Sequence, residues 1–147
     1  MKVFLGVDHK GVIFKEMINT YLRNKDIEVI NCKIENNPDD DHNDFALEVC
    51  SGVLENNGSF GILVCSTGIG MSIDANKIKG IYCAKVDDVD DAYYSRLHNG
   101  ANVLALGIKH SEEEVKEIID TFLKTAVSNE ERYLKRIEKV KKLENNA

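Results

Sequence analysis

Residues Ile62 to Lys77 read ILVCSTGIGMSIDANK, an apolar run that ends in a cysteine and is followed at once by two spaced glycines. A short unbroken apolar run suits a strand buried on both faces of a parallel sheet, because neither face has to meet water. The glycines let the chain turn into a helix, so the stretch reads as strand, turn and helix N-terminus. Such a junction has three uses: a nucleotide cradle, a strand end with an inert thiol, or a base or nucleophile beside an anion-friendly turn. A dinucleotide fingerprint needs a third small residue where Ile73 stands, and a P-loop needs Gly-Lys-Ser/Thr, which is absent. What remains is a helix start whose free N–H groups and dipole attract negative charge. Spacing alone leaves Cys65 open as base, nucleophile or inert strand-end thiol.

The same kind of apolar, β-branched run recurs at 2–7, 27–32, 60–65, 80–86 and 102–107. Between these runs apolar residues return at helical spacing: Ile13, Met17, Ile18, Tyr21 and Leu22, then Phe45, Leu47, Val49, Val53 and Leu54. Further helical stretches follow Gly68, run from about Ala92 to Leu97, and start at Ser111, which forms a capping box with Glu114. This alternation predicts an α/β fold, a doubly wound five-stranded parallel sheet with helices on both faces and right-handed crossovers. One domain over 1–147 is expected from the length. The tail SNEERYLKRIEKVKKLENNA, residues 128–147, departs from the rhythm, since no strand follows it. Its apolar positions Tyr133, Leu134, Ile137, Val140 and Leu143 keep helical spacing. It is either a final surface helix or one that packs on a partner chain and carries a basic face there.

The formal net charge of -6 argues against a broad nucleic-acid or anionic-membrane surface, since both draw on clustered Lys and Arg. No apolar run approaches the roughly 20 residues that span a bilayer, and MKVFLGVDHKG places an aspartate where a signal peptide would stay apolar. A cytoplasmic protein is expected. Cys32, Cys50, Cys65 and Cys83 lie far apart with no C-x-x-C pair, which predicts free thiols. The first, second and fourth fall on strand or helix positions where a thiol acts as a small hydrophobe.

In an open α/β sheet ligands bind beyond the carboxyl ends of the strands. Asp8-His9, His42 with Asp44, Cys65 to Gly68, Asp87-Asp88 and Lys109-His110 are expected there, with His98-Asn99 just before the fifth strand. The histidines and aspartates match no metal-ligand spacing, so no metal is expected.

Four segments together resemble the ribose-5-phosphate isomerase B family, which includes the subunits of galactose-6-phosphate isomerase. They are GVDHKG at 6–11, GILVCSTGIGMSIDANKIKGI at 61–81, SRLHNGANVLALG at 95–107 and ERYLKRIEKV at 131–140. The resemblance covers nearly the whole chain in order, and the central block is the most specific part of it. It implies a Rossmann-like sheet, no metal and no nucleotide cofactor, a sugar phosphate substrate, and a homodimer or tetramer with active sites at the subunit interface. The implied reaction interconverts an aldose phosphate and its ketose through an enediolate, most directly ribose 5-phosphate and ribulose 5-phosphate. A six-carbon substrate such as allose or galactose 6-phosphate, or a non-catalytic sugar-phosphate-binding subunit, are the alternatives.

The resemblance also implies roles. His98 and Asp8 match the positions that open the sugar ring, and Cys65 matches the carbon-acid base, in a loop where some relatives use a glutamate at the position of Met71. Thr67 belongs to the same catalytic loop, and the N–H groups of Gly68, Ile69 and Gly70 with the Ser66 and Thr67 hydroxyls would hold the enediolate. Asn99 would bond to the sugar. His9, Arg132 and Arg136 match phosphate contacts, with Lys109 where an arginine is usual. The two tail arginines, spaced i and i+4, share one helix face and would reach the partner's site.

The departures are as informative. Ser66 replaces a glycine, Lys10 the alanine of DHAG, and Tyr82 the arginine of GIR. DHNDFA at 41–46 stands for DYPDYA, which puts His42 where a tyrosine near the sugar is usual. AKVDD at 84–88 stands for ALVHD. These changes leave the reaction type intact and bear on the preferred sugar.

Overall fold

Along each strand, side chains point alternately to opposite faces, and in the three central strands both sets are buried. Val3, Leu5 and Val7 enter one core together with Ile62, Val64, Leu104 and Leu106. Phe4, Leu63, Cys65, Val103 and Ala105 enter the other. The strands are β1 (Lys2–Val7), β2 (Glu28–Asn31), β3 (Phe60–Val64), β4 (Cys83–Lys85) and β5 (Val103–Leu106), all parallel, in the order β2-β1-β3-β5-β4. The computed structural model describes residues 1–34 and 38–145.

Right-handed crossovers make the direction of travel decide which face each helix covers. From β1 the chain moves outward to β2 through α1 (Lys15–Arg23), then reverses across β1 to β3 through α2 (His42–Glu55). The reversal puts α1 and α2 on opposite faces, with Ile18 and Leu22 in the first core and Phe45, Val49 and Val53 in the second. α3 (Ile69–Asn76) joins α2 through Met71 and Ala75. The step back from edge strand β4 to β5 sends α4 (Val89–Leu97) to the face of α1, where α5 (Glu112–Lys124) adds Val115, Ile118, Ile119 and Phe122. The doubly wound sheet expected from the β-α alternation is therefore present. So is the Ser111–Glu114 capping box.

Three details differ from the sequence reading. The first strand spans 2–7 as expected, the others are shorter at their ends, and the fourth shrinks from 80–86 to Cys83–Lys85. Ahead of it, side-chain amides take the backbone groups: Tyr82 N–H donates to Asn102 Oδ1 and Cys83 N–H to Asn76 Oδ1. The first helix is preceded by a separate 3-10 turn, Gly11–Phe14.

The last helix, α6 (Glu131–Asn145), has no buried residue. It lies along its own chain: Gly80 N–H donates to Glu144 Oε1 at 3.1 Å, and Val140 and Leu143 line a cleft of about 430 Å³ with Ile78, Ile81 and Tyr82. Leu134, Val140 and Leu143 stay exposed. Among the described residues no helix is long and apolar enough to cross a membrane.

Candidate active site

The topology singles out one crevice. The winding of the sheet reverses between β1 and β3, so the loops that leave their carboxyl ends part to opposite faces and leave an opening. Asp8 and His9 leave β1 on one side of it, and Cys65 to Gly70 leave β3 on the other. Asp8 N–H still bonds to the Val64 carbonyl at 3.1 Å, so the two loops depart from a common rung.

Cys65 directly follows β3, packs with residues of α2 and α3 and is 5% exposed. Its Sγ accepts the Gly68 N–H at 3.1 Å. That contact needs a sharp return of the chain, which Gly68 supplies with a left-handed φ of 82°. Space closes the same turn: a Cβ at Gly68 would lie 2.9 Å from Leu106 C, and one at Gly107 would lie 2.9 Å from Thr67 O. The loop after β3 is thus locked onto the end of β5, with Ile108 N–H donating to the Ser66 carbonyl.

The expected set of loop donors needs correction. Gly68 N–H is engaged by sulfur, and Ile69 N–H donates to Thr67 Oγ1 at 3.1 Å, so neither is a free oxyanion donor in this arrangement. The local turn consumes them. Gly70 and Met71 open the helix next, at positions whose N–H groups have no carbonyl one turn behind.

Asp8 also does structural work. Its Oδ1 accepts Lys10 N–H at 3.0 Å and Gly11 N–H at 2.8 Å, which shapes the turn into the 3-10 segment. His9 Nε2 donates to the Asp40 carbonyl at 3.0 Å, and its ring meets Phe45 edge-on at 6.3 Å. His42, the first residue of α2, lies against the start of α3, where its ring comes within 3.0 Å of a Cβ built on Gly70.

The other expected residues form a second group. His98 caps the end of α4, and its ring stacks on Tyr133 of α6 at 4.0 Å and 8°. The Tyr94 ring lies 4.9 Å from that of His98, tilted by 34°, and Asn99 Nδ2 donates to the Tyr94 carbonyl. Arg132 and Arg136 both approach the Tyr133 ring, at 4.7 and 5.5 Å, and Arg132 pairs with Glu130 at 3.2 Å. Among the described residues no hydrogen bond, ion pair or ring contact joins this group to the Cys65 loop within one chain.

Lys109, like Arg132, is an expected cation that pairs with a carboxylate of its own chain. Its Nζ lies 3.2 Å from Asp87 Oδ1, which Lys85 also contacts at 2.5 Å. Hydrogen bonds from Lys85 and Lys109 hold the Asp87 carboxyl below its ordinary range. The remaining cysteines are free and structural in character. Burial pushes the thiols of Cys32 and Cys50 up to about 12 and raises that of Cys83 as well, so they stay protonated at neutral pH.

Sequence reasoning missed two participants. Asp74, on α3, meets His42 and Asn43 across more than thirty residues, and a single charged position in a short helix carries no signal of that. Tyr133 reads as one apolar position of an amphipathic helix, yet it organises His98 and both arginines.

A parallel α/β domain that gathers a thiol, an Asp-His pair and polar loop groups at its switch-point crevice has the architecture of an enzyme that binds a small ligand there. The particular family follows from comparison. The model of the Ribose/Galactose Isomerase family matches residues 3–140. Ribose-5-phosphate isomerase B of Mycobacterium tuberculosis is 34% identical over 140 residues, 94% of this chain and 86% of that protein. The structure of type B ribose 5-phosphate isomerase from Trypanosoma cruzi superposes with a TM-score of 0.92 at 36% identity, covering 100% of both chains. That of ribose-5-phosphate isomerase B from Mycoplasma genitalium with bound ribulose-5-phosphate gives 0.92 at 34% identity, covering 99% of this chain and 97% of that one. The chain belongs to the ribose/galactose isomerase family.

Proposed function

We infer that the protein is an aldose-ketose isomerase acting on ribose 5-phosphate and ribulose 5-phosphate through an enediolate. The observation that carries this reading is its near-complete likeness to a structure holding ribulose-5-phosphate.

The chemistry divides between the two groups of residues. His98 and Asp8 take a proton from the anomeric hydroxyl and return one to the ring oxygen, which opens the sugar. Cys65 then removes the proton on C2 of the aldose, and the electron pair left behind forms the C1–C2 double bond as the carbonyl oxygen becomes anionic. The 2-hydroxyl proton passes to O1, and protonation at C1 then leaves the carbonyl at C2, which gives the ketose. The helix start at Gly70, with the Ser66 and Thr67 hydroxyls, stabilises the enediolate while it lasts. His9, Arg132, Arg136 and Lys109 hold the phosphate, which fixes the register of the carbon chain.

The separation of the two groups supports a site shared between subunits. His98 stacks on Tyr133 beside the arginines, so it travels with α6, and a second copy would bring this group to the Cys65 loop. Exposed Ile69 and Ile73 on α3 and Leu134, Val140 and Leu143 on α6 are apolar surface suited to such a contact. A homodimer or tetramer is the assembly this reading requires.

Purified protein incubated with ribose 5-phosphate is expected to reach an aldose-ketose equilibrium and to exchange the C2 proton with solvent. A galactose 6-phosphate or allose 6-phosphate preference in the same assay would move the substrate to six carbons, and absence of exchange with every sugar would remove the isomerase reading.

Lys109 gives a further prediction. At neutral pH Asp87 stays ionised, because its carboxyl titrates only below the ordinary carboxylate range, and the phosphate must draw Lys109 away from it. Asp87→Asn is therefore expected to lower KM about two- to fivefold with kcat unchanged, the size of an exposed ion pair. An unchanged KM in steady-state kinetics removes Lys109 from phosphate binding.

A further inference from the structure

The segment Asp40 to Phe45 is anchored on both sides of the crevice. The Asp40 carbonyl accepts from His9 at the end of β1, while His42 and Asn43 are held at α3. His42 Nδ1 lies 2.6 Å from Asp74 Oδ2, and Asn43 Nδ2 donates to Asp74 Oδ1 at 2.6 Å. Asp74 is largely covered, at 16% side-chain exposure, whereas His42 keeps 41%. The Cε1–Nε2 edge of the ring lies over Gly70, where any side chain would meet it at 3.0 Å.

An ionised carboxylate only accepts hydrogen bonds, so a neutral imidazole facing it must carry its proton on Nδ1. Its Nε2 is then left bare as an acceptor, and among the described residues it has no hydrogen-bond partner in the hydrogen-bond network of His42. The group opposite such an acceptor must be a donor. At the mouth of a sugar-phosphate site, the donors a ligand brings are hydroxyls.

We propose that Asp74 locks His42 as the Nδ1–H tautomer, and that His42 Nε2 accepts a hydroxyl from a non-reacting carbon of the sugar. His42 is then a specificity-determining residue and Asp74 its positioning residue. This rests on the sugar-phosphate reading of the site, but not on turnover. The partnership is double: the carboxylate sets the tautomer through one oxygen and is steadied by Asn43 through the other.

The test uses ligands that cannot isomerise. Calorimetric affinities for ribitol 5-phosphate and its C3 and C4 epimers are measured on the wild type, His42→Ala, Asp74→Ala and Asn43→Ala. The wild type is expected to prefer one epimer. His42→Ala and Asp74→Ala are expected to cut that preference by roughly three- to tenfold, the worth of one neutral hydrogen bond, while Asn43→Ala keeps most of it. Nitrogen-15 spectra of labelled histidine are expected to show a protonated Nδ1 and a bare Nε2 for His42, a signature that Asp74→Ala loses.

Equal losses for all epimers would mean a purely structural role, and an Nε2-protonated ring in the wild type would overturn the proposal directly. Failure to bind any pentitol phosphate would also overturn it. Binding with unchanged epimer preference in the variants sinks this inference and leaves the isomerase reading standing. Epimer-selective binding without aldose-ketose conversion does the reverse.

Discussion

Cys65→Ala is expected to bind ribose 5-phosphate with little change in KM and to lose turnover by about 10²- to 10⁴-fold, the usual contribution of a positioned base. The interaction it removes is made when the carbon-bound proton moves, so the loss falls on kcat. Solvent exchange at C2 is expected to fall with it, because exchange needs the same abstraction. The Gly68 N–H would lose its sulfur acceptor in the variant. A circular dichroism spectrum and melting curve close to wild type therefore belong with the kinetics. Full activity in a folded Cys65→Ala protein would return the thiol to the inert reading.

Mixed subunits give the second large effect. Cys65→Ala and the double variant Arg132→Ala/Arg136→Ala are each expected to be nearly inactive alone. Co-expressed with different tags and purified as a heterodimer, they should recover about half of the wild-type activity per dimer, since a two-fold assembly with shared sites keeps one intact site of two. The defective base and the missing arginines then fall together in the other site. If each chain instead completed its own site, the heterodimer would carry two damaged sites and stay inactive. Size-exclusion chromatography with light scattering verifies that the species measured is the dimer.

Legibility in the sequence followed the range of the interactions involved. The strand, turn and helix around Cys65 could be read directly, because the residues that make them are consecutive and hydrophobic periodicity is a local property. The capping box at Ser111 and the isolation of the cysteines were legible for the same reason. The turn's hydrogen bonds were only half legible. Glycines announced a tight return, but not that Cys65 Sγ and Thr67 Oγ1 would take the Gly68 and Ile69 N–H groups for themselves. Lys109 was visible as a cation, and its capture by Asp87 was not, because β4 and β5 are adjacent only in space.

By itself the sequence determined the alternation of buried strands and helices, the position of Cys65 at a helix start, and the residue types that resemble a sugar-phosphate isomerase. Tertiary structure alone decided that the β1 and β3 loops share the switch-point crevice, that His42 answers to Asp74, and that His98 joins Tyr133 and the tail arginines. The reason is physical. Local propensity and periodicity act over a few residues of chain, whereas strand order, side-chain pairing and ring stacking are chosen by burial and hydrogen bonding between segments that the sequence keeps far apart.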